Sequence, residues 1–522
     1  MPMKGTIEQL RRENKKLRAE NRALRAENKL LRQKIDLLVR KVFGSKSERI
    51  TPDELQMLLS GFEEKPDGQD PDEEDQAGDL SLPAPNDSQP QKRKPRGIRC
   101  PEDLKVVEEI IIPDLVQEQL EDYKEIGREV HEQLDYQPGH FFKRRTIRPK
   151  YVHKDQRDLP PIISPAPVSL MTRGLAAPGL ITEILIGRYC DHLPFYRQED
   201  AFKTRYGVEI PRKLMGKWVQ SCANWLEGIY DCMKEEIRSS SYIQVDETTA
   251  TYLDRDREQG KGKGYFWTYL KPGDMVLYDW HPSRSTECIR SFLGEQFEGK
   301  LSCDGYVSYK TYEGEQKGNF SLYECRMHLR RRFYEAKSCD QIAAAWVLRQ
   351  IQQLYRWEKE LRESRAGPSL RAAIRASHHR MVVERLFKYF EKRHEREKEN
   401  GLPASSIGEA LSYALNQREG LERVFQDGEV EIDTGLVENA IRPLAVGRRN
   451  WLFVGHREAG QKSAIVYSLV QTCRMLGLDP KAYLREVLEI IPHLKPEAFK
   501  HWAPYNWGVS KGLLKAKHED AA

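Results

Sequence analysis

Three acidic residues lie in sequence contexts that suit metal-dependent chemistry. Asp246 lies inside a β-rich stretch, Asp304 ends another, and Glu438 lies beside the apolar stripe of a helical stretch. Mg²⁺ and Mn²⁺ prefer carboxylate oxygens, and two such ions roughly 3.5–4 Å apart can activate a nucleophile and stabilise a leaving oxygen. The three carboxylates therefore predict a catalytic site that holds two Mg²⁺ or Mn²⁺ ions.

Two of these residues also have an ordinary structural explanation. Asp304 followed by Gly305 is a common turn, and Glu438 with Arg442, four residues later, could be a helix-surface ion pair. Asp246 is harder to explain in this way, because a carboxylate buried in a strand costs free energy without a partner or a metal ion. The chain contains 80 acidic residues, so both interpretations of the trio stay open at this level.

A switch in hydrophobic periodicity at residue 239 predicts the sheet that would position the two aspartates. Strand candidates are 242–250, 264–270, 275–280, 300–304 and 320–325, and 286–297 is a helix candidate. A three-strand meander, a helix, a strand and further α/β units is the order of an RNase H-like fold. That fold places one carboxylate in its first strand, a second beside it at the end of the fourth, and a third on a late helix.

Two groups of cations are candidate DNA contacts. The first lies on a helix predicted at 433–449 with Asp433 as its N-cap, and comprises Arg442, Arg448 and Arg449. The second begins a helix after a helix candidate at 196–206 and a turn at Gly207, and comprises Arg212, Lys213 and Lys217. This is the outline of a helix-turn-helix, whose second helix could enter a major groove, although a plain helical hairpin has the same pattern.

The N-terminal 50 residues carry a heptad pattern and an excess of positive charge. Leucines recur every seven residues from Leu10 to Leu38, and the alternate seam positions include Asn14, Asn21 and Asn28. This pattern predicts a parallel coiled coil and hence a homodimer or higher oligomer. Fifteen Lys/Arg against six Asp/Glu give residues 1–50 a net charge of +9, which favours nucleic acid as a partner, with a solvated helix face as the alternative.

The length of 522 residues and the shifts in composition predict several domains. We expect a basic leucine-zipper coiled coil at 1–50, a disordered acidic and proline-rich linker at 51–99, a small β-containing module at 100–170, a helical helix-turn-helix-like region at 171–238, the catalytic core at 239–474 with a helical insertion at about 335–430, and a C-terminal helical domain and tail at 475–522. No run of 18 apolar residues and no apolar N-terminal stretch occur, so we expect a cytoplasmic protein without a membrane span.

The sequence resembles the insertion sequence 66 family of transposases, the large TnpC-type protein. The resemblance covers nearly the whole chain, and the blocks that carry it are Phe43–Arg49, Glu132–Tyr136, Arg148–Tyr151, Gly174–Leu180, His192–Gln198, Val245–Thr248, Cys303–Tyr306 and Glu431–Pro443. It implies a multidomain α+β protein with a retroviral-integrase-like core and a helical insertion before the glutamate. It also implies a DDE enzyme that nicks transposon ends and transfers them to target DNA, using Asp246, Asp304 and Glu438.

The resemblance further implies partners and shows departures from the family pattern. The implied partners are the terminal inverted repeats, target DNA and the companion proteins of the element, TnpA and TnpB. The stretches 116–122 and 152–158, where the family carries zinc-finger cysteines, contain none, so we predict no zinc. The family's Cys-Trp-Ala-His block is Cys325–His328 with Arg326 in place of tryptophan, and its paired asparagines are Thr434 and Gly435. A catalytically impaired DNA-binding dimer from a decayed element and an RNase H-like nuclease are the alternative functions.

Overall fold

The computed structural model describes residues 139–143, 150–151, 162–163, 168–171 and 176–516, apart from 258, 316–319 and 400–404. The predicted coiled coil, the acidic linker and most of the β-containing module lie outside the described residues. Within that module, two short strands, β1 (Lys150–Tyr151) and β2 (Ile162–Ile163), pair in antiparallel fashion. The described residues from Phe142 onward belong to one compact unit.

Three helices precede the main sheet: α1 (Pro178–Tyr189), α2 (Phe195–Tyr206) and α3 (Arg212–Arg238). Gly207 ends α2 with a φ of 65°, a left-handed conformation that glycine adopts without steric cost. Pro211 directly precedes α3, where its missing N–H and fixed φ suit the start of a helix. The two helices and the turn predicted here from the sequence are confirmed, and their binding to DNA stays a prediction.

The main sheet has six strands: β3 (Tyr242–Leu253), β4 (Lys261–Lys271), β5 (Met275–His281), β6 (Gly299–Cys303), β7 (Phe320–Glu324) and β8 (Phe453–His456). The order is β5-β4-β3-β6-β7, and β8 pairs with the far end of β3. The meander β3-β4-β5 is antiparallel, whereas β6 and β7 run parallel to β3. Parallel neighbours need crossover connections, which include α4 (Thr286–Leu293) and α5 (Val307–Glu315). The five strands predicted from the sequence are confirmed.

A helical region separates β7 from the helix that carries Glu438. Its helices are α6 (Arg326–Glu335), α7 (Gln341–Glu363), α8 (Pro368–Ile374), α9 (Arg380–Glu399), α10 (Ser406–Asn416) and α11 (Arg418–Glu422). Short 3₁₀ turns at Ala336–Ser338 and Arg423–Gln426 and one π-helical turn at Arg375–His379 interrupt them. This region has its own apolar core, in which the rings of Phe333 and Phe390 stack 5.1 Å apart.

The chain returns to the sheet after this helical region. The remaining helices are α12 (Gly435–Trp451), α13 (Ala459–Met475), α14 (Pro480–Ile490) and α15 (Pro504–Ser510), with 3₁₀ turns at Ile491–His493 and Pro496–Trp502. The C-terminal part is therefore helical, as expected from the sequence. Among the described residues, no helix is both long and apolar enough to span a bilayer.

Side chains of α13 cover the outer edge of β5. They accept the N–H groups of alternate strand residues: Thr472 from Val276 at 3.1 Å, Ser468 from Tyr278 at 2.9 Å and Gln461 from Trp280 at 2.9 Å. Alternate strand residues point their N–H groups to the same side, and the three acceptors share one face of the helix. An open edge would offer these N–H donors to another chain. The side chains of α13 therefore satisfy the hydrogen-bond donors at this edge of the sheet.

Candidate active site

The register of β3 and β6 places Asp246 and Asp304 side by side. The two strands run parallel, with Gln244 opposite Ser302. Asp246 lies two residues after Gln244, within β3, and Asp304 lies two residues after Ser302, directly beyond the carboxyl end of β6. Two carboxylates that are 58 positions apart in sequence thus become neighbours through strand pairing alone.

The two aspartates share their site with Glu247, which the sequence analysis did not select. One carboxylate oxygen from each of Asp246, Glu247 and Asp304 lies within 4.8 Å of the other two. Adjacent strand residues normally point to opposite faces, so the sequence offers no reason to group Glu247 with Asp246. The one available signal is a pair of acids in succession inside a strand that has no other charged residue, where even one buried acid is costly.

Backbone N–H groups hold the two aspartates in place. Oδ1 of Asp246 accepts the N–H of Glu247 at 2.8 Å, and Oδ1 of Asp304 accepts the N–H of Tyr306 at 2.9 Å. Gly305 between the latter two has a φ of 78°, and a Cβ there would come within 2.6 Å of the side chain of Glu324. Glycine is therefore required directly after Asp304 for both conformational and steric reasons.

The cluster carries negative charge that the protein only partly compensates. Burial raises the pKa of Asp246 well above its usual range, and the carboxylates of Glu247, Asp304 and Glu438 raise it further. Burial and Asp304 also raise the pKa of Glu247, against the opposing charge of Arg284. Burial and like charges both disfavour ionised carboxylates, so a cation bound among these oxygens would stabilise their charged forms.

Glu438 lies in a neighbouring group of side chains, with Cys325 and His328. One ligand atom of each lies within 4.8 Å of the others, and His328 Nδ1 is 3.8 Å from Glu438 Oε1. Glu438 is nevertheless near enough to Asp246 to raise the pKa of that carboxyl. The structure thus brings two members of the predicted trio together and places the third beside them.

Gln244 ties the strand of Asp246 to the helix of Glu438. Its Nε2 donates to the carbonyl of Asp433 at 3.1 Å, and its Oε1 accepts the N–H of Val437 at 3.2 Å. Gln244 precedes Asp246 by two residues, and Val437 directly precedes Glu438. One buried amide therefore sets the distance between the two elements that carry these carboxylates.

The helix that carries Glu438 begins one residue later than the N-cap prediction requires. α12 starts at Gly435 with Thr434 as its N-cap, so the assignment of Asp433 as N-cap is wrong. Asp433 Oδ1 still accepts the N–H of Gly435 at 2.9 Å, from just outside the helix. Thr434 faces the sulfur of Cys325, to which its N–H donates at 3.3 Å and its hydroxyl at 3.0 Å. Its hydroxyl is thus engaged away from the helix N–H groups.

Of the cationic side chains predicted to contact DNA, five are exposed and one forms hydrogen bonds within the protein. The exposed residues are Arg212, Lys213, Lys217, Arg442 and Arg449. Arg448 instead donates from Nη1 to Thr248 Oγ1 at 2.8 Å and to the carbonyl of Thr249 at 2.6 Å. These contacts tie α12 to β3, so Arg448 has a structural task that the sequence pattern did not indicate.

Arg449→Ala and Arg448→Ala should therefore differ in their effect on DNA binding. Loss of the exposed Arg449 should weaken binding to all DNA sequences and reduce the salt slope of the binding constant by about 1, because one fewer counterion is released. Loss of Arg448 should lower the melting temperature first, because α12 loses its tie to β3. Fluorescence anisotropy across salt concentrations and thermal unfolding measure the two effects. Equal salt slopes for wild type and Arg449→Ala would contradict the assignment.

A titratable pair ends β5, three residues before Arg284. His281 Nε2 lies 2.8 Å from Asp279 Oδ2. Burial by itself would lower the pKa of His281, but the hydrogen bond to Asp279, with a further contribution from Cys288, raises it to about 9. The pair should therefore contribute its full stability below about pH 6.5, the ordinary pKa of histidine, and lose it as the pH rises through about 9.

His281→Gln tests this pH dependence. The melting temperature of the wild type should exceed that of the variant at pH 6, and the difference should shrink toward pH 10 as the imidazolium loses its proton. Differential scanning calorimetry at matched pH values measures the difference. A gap in melting temperature that stays constant across this range would show that the charged pair does not form.

Three family models match the chain. The model described as "Transposase IS66 family" matches residues 173–462, which include Asp246, Asp304 and Glu438. "IS66 C-terminal element" matches residues 468–504, and "Transposase C of IS166 homeodomain" matches residues 30–108. The last match begins inside the predicted coiled coil and crosses the predicted linker.

Proteins of Sinorhizobium fredii resemble the chain over most of their length. The uncharacterized protein y4qI is 34% identical over 402 residues, which cover 72% of this chain and 71% of that protein. The uncharacterized protein y4jD is 31% identical over 381 residues, covering 70% of this chain and 72% of that protein. The uncharacterized protein y4hP is 24% identical over 406 residues, covering 73% and 71%. The transposase family model also spans more than half of the residues of this chain, so the chain belongs to the IS66 family of transposases.

Proposed function

We propose that this protein is a DDE-type transposase that cuts and joins DNA with the carboxylates of Asp246, Asp304 and Glu438. The observation that carries the proposal is the pair of aspartates side by side on β3 and beyond β6, inside the region that matches the transposase family. Glu438 lies on a helix that Gln244 joins to the same strand. Family membership supports the reaction class, and the geometry supports the choice of residues.

The core is, in this proposal, an RNase H-like or retroviral-integrase-like fold. The sheet order β5-β4-β3-β6-β7 supports it, with an antiparallel meander followed by two parallel strands. The helical region between β7 and α12 corresponds to the insertion that we expect before the glutamate. Asp246 on the first strand of the main sheet, Asp304 after the fourth and Glu438 on a late helix support this assignment.

The residues present suit two Mg²⁺ or Mn²⁺ ions. The carboxylates of Asp246, Glu247 and Asp304, within 4.8 Å of one another, offer the hard oxygen ligands that these ions require. A bound cation would also stabilise the charged form of Asp246, which burial and the neighbouring carboxylates disfavour. Asp246 and Asp304 would hold the ions, with Glu438 reaching in from α12. Divalent ions bound there would supply charge stabilisation to the reacting phosphate and its leaving oxygen.

The reaction comprises two phosphoryl transfers. In the first, water forms a new bond to phosphorus, and the bond from phosphorus to the 3′ oxygen breaks, which leaves a free 3′-OH at the transposon end. In the second, that 3′ oxygen bonds to a phosphorus of the target DNA and displaces a target 3′ oxygen, which takes up the proton. The exposed Arg442 and Arg449 on α12 would bind backbone phosphates beside the carboxylates and hold the strand for both steps.

The DNA partners in this proposal are the terminal inverted repeats of the element and the target DNA. The match of residues 30–108 to a homeodomain description supports DNA binding by the N-terminal part. The heptads of residues 1–50 would join two copies into a homodimer or higher oligomer, with the companion proteins TnpA and TnpB as further partners. DNA in the bacterial cytoplasm is then the site of action.

Metal-dependent nicking tests the proposal. The full-length protein is incubated with a duplex that carries the terminal repeats of its own element, with Mg²⁺, with Mn²⁺ or with chelator. Nicks at the repeat ends that require the metal ion and disappear in Asp246→Asn are the expected result. An unrelated duplex of equal length is the control for specificity.

Two other outcomes correspond to the alternative functions. Tight binding to the repeats without nicking under any metal condition would indicate a catalytically impaired DNA-binding dimer. The departures from the family pattern at Arg326, Thr434 and Gly435 are the observation that favours this alternative. Equal cleavage of the unrelated duplex would indicate an RNase H-like nuclease instead.

A further inference from the structure

Arg284 reaches into the carboxylate cluster from the connection between β5 and α4. Its Nε and Nη2 both contact Glu247 Oε1, and its Nη2 lies 3.4 Å from Asp304 Oδ2. The guanidinium therefore bridges two of the three clustered carboxylates. Neither Arg284 nor Glu247 belongs to the catalytic trio of the proposed function, so their roles are still to be assigned.

The segment that follows Asp304 holds Arg284 in this position. The guanidinium carbon lies 3.6 Å from the ring centre of Tyr306, within the range of a cation–π contact. Ser308 Oγ donates to the carbonyl of Arg284 at 3.3 Å. The side chain is nevertheless 32% exposed, so part of it is accessible to an approaching ligand.

Glu247 is held from the opposite side. Its Oε2 accepts the hydroxyl of Tyr309 at 2.7 Å, and its side chain is only 1% exposed. A carboxylate so deeply buried needs charge compensation, which Arg284 supplies. The same carboxylate belongs to the cluster of Asp246, Glu247 and Asp304 that could hold a metal ion.

Arg284 and a divalent ion would compete for the same carboxylates. Lone pairs of Glu247 and Asp304 that accept N–H groups from Arg284 are not free to coordinate an ion. The guanidinium also contributes a positive charge that repels an incoming cation at short range. Occupation of the cluster by two ions should therefore favour movement of the guanidinium away from at least one carboxylate.

We propose that Arg284 is a resident counter-ion of the carboxylate cluster, which divalent ions displace onto a DNA phosphate, and that Glu247 then becomes a fourth carboxylate ligand. The inference rests on the proposed function and extends it, because it couples metal binding to DNA binding through one side chain. In this scheme Arg284 acts on the ions through Glu247 and Asp304 and contacts the DNA only after it has been displaced.

Mn²⁺ binding to the full-length protein without DNA tests the competition. The free Mn²⁺ signal in electron paramagnetic resonance gives the dissociation constant for wild type, R284Q and R284K. R284Q should bind Mn²⁺ at least roughly tenfold more tightly, because the competing charge is gone. R284K keeps the charge and should stay near wild type. Unchanged or weaker binding by R284Q would overturn the proposal.

Arg290 offers a matched control. Its side chain is 33% exposed, close to the value for Arg284, but it pairs with Glu287 and Glu315 instead of the cluster. R290Q removes the same charge from a position only six residues away. If R290Q tightened Mn²⁺ binding as much as R284Q, the effect would come from net charge, and the specific competition would be disproved.

The role of Glu247 is tested in the background that lacks Arg284. E247Q/R284Q is compared with R284Q, so that the loss of the ion pair itself does not enter the comparison. Weaker Mn²⁺ binding by the double variant is the expected result if Glu247 is a ligand. Equal binding would show that Glu247 serves only as the partner of Arg284, which contradicts that part of the proposal.

The transfer of Arg284 to DNA predicts a coupling between metal and DNA affinity. Ca²⁺ should support DNA binding with little cleavage, because its loose coordination positions a nucleophile poorly, so DNA affinity is measured by anisotropy with and without Ca²⁺. The gain in affinity on adding Ca²⁺ should be smaller for R284Q than for wild type and unchanged for R290Q, because coupling between two sites is reciprocal. The same gain in all three proteins would rule out the transfer.

Failure of this inference can be distinguished from failure of the proposed function. If the wild type binds no Mn²⁺, or if D246N and D304N bind Mn²⁺ as tightly as the wild type does, the proposed metal site itself is wrong. If D246N and D304N weaken Mn²⁺ binding while R284Q has no effect, the proposed function stands and only the role of Arg284 fails. Thermal unfolding of each variant confirms that the compared proteins are folded.

Discussion

Asp246→Asn, Asp304→Asn and Glu438→Gln should each lower metal-dependent DNA nicking by at least about 10²–10³-fold. Each change keeps the shape of the side chain and removes the charge that binds a divalent ion. Folding and DNA binding should survive, because carboxylates near phosphates repel DNA until metal arrives. Single-turnover cleavage of a labelled repeat duplex measures the rate, and anisotropy measures the binding.

Combining the three changes should add little to the largest single effect. Groups that act as one unit lose most of their function when any member is removed. Additive losses would instead indicate that the carboxylates work independently. A folded Asp304→Asn protein that nicks at the wild-type rate would remove that residue from the site.

Glu438→Gln is the most informative of the three variants, because Glu438 lies 3.8 Å from His328 as well as beside Asp246. His328→Gln is the comparison. If Glu438 binds the metal ions, Glu438→Gln should weaken both Mn²⁺ binding and nicking. His328→Gln should then weaken Mn²⁺ binding less than Glu438→Gln does. Matching losses in both variants would show that the two side chains act as one pair.

Arg375→Met should lower the free energy of unfolding by up to about 3–5 kcal/mol, because the buried Glu358 loses its closest partner and keeps the longer contact of 3.3 Å to Arg371 Nη2. The side chains of Arg375 and Glu358 are both fully buried, and the guanidinium donates to the carboxylate from Nε at 2.7 Å and from Nη2 at 2.9 Å. Nη1 also donates to the carbonyls of Asp427 and Val430, each at 2.7 Å. The change therefore also loosens the segment that leads to Glu438.

Urea unfolding of the full-length protein measures this loss. Arg380→Met is the matched control, since Arg380 pairs with Glu384 on the surface with a side chain that is 62% exposed, and such pairs contribute little. Replacing both partners, as in Glu358→Leu with Arg375→Met, should recover part of the stability, because no unpaired charge remains. A loss below about 1 kcal/mol for Arg375→Met would contradict the proposed cost of the unpaired charge.

The strands and the two aspartates could be predicted because their signals are local. Apolar and β-branched runs around Asp246 and before Asp304 mark strands, and the order of strands and helices restricts the sheet topology. Gly207 and Pro211 likewise mark the turn between α2 and α3 by their own backbone preferences. Such residues act within one element, so neighbours in sequence are enough to interpret them.

The partners of the site residues could not be predicted, because they come from distant segments. Arg284 lies 37 positions from Glu247, and Arg448 lies 200 positions from Thr248, yet each pair forms a direct contact. In a chain with 85 Lys and Arg residues, nothing in the sequence distinguishes an arginine that binds DNA from one that holds a strand. Their assignment depends on which side chains the sheet and α12 bring together.

The sequence by itself thus determined the family, the order of the elements and the candidate carboxylates Asp246, Asp304 and Glu438. Only the tertiary structure decided that Glu247 joins the two aspartates, that Glu438 lies with His328, and that Arg448 is engaged by β3. The physical reason is that hydrophobic periodicity and turn residues act over a few positions of the chain. Charge compensation acts over a few ångströms of space, which the sequence does not record.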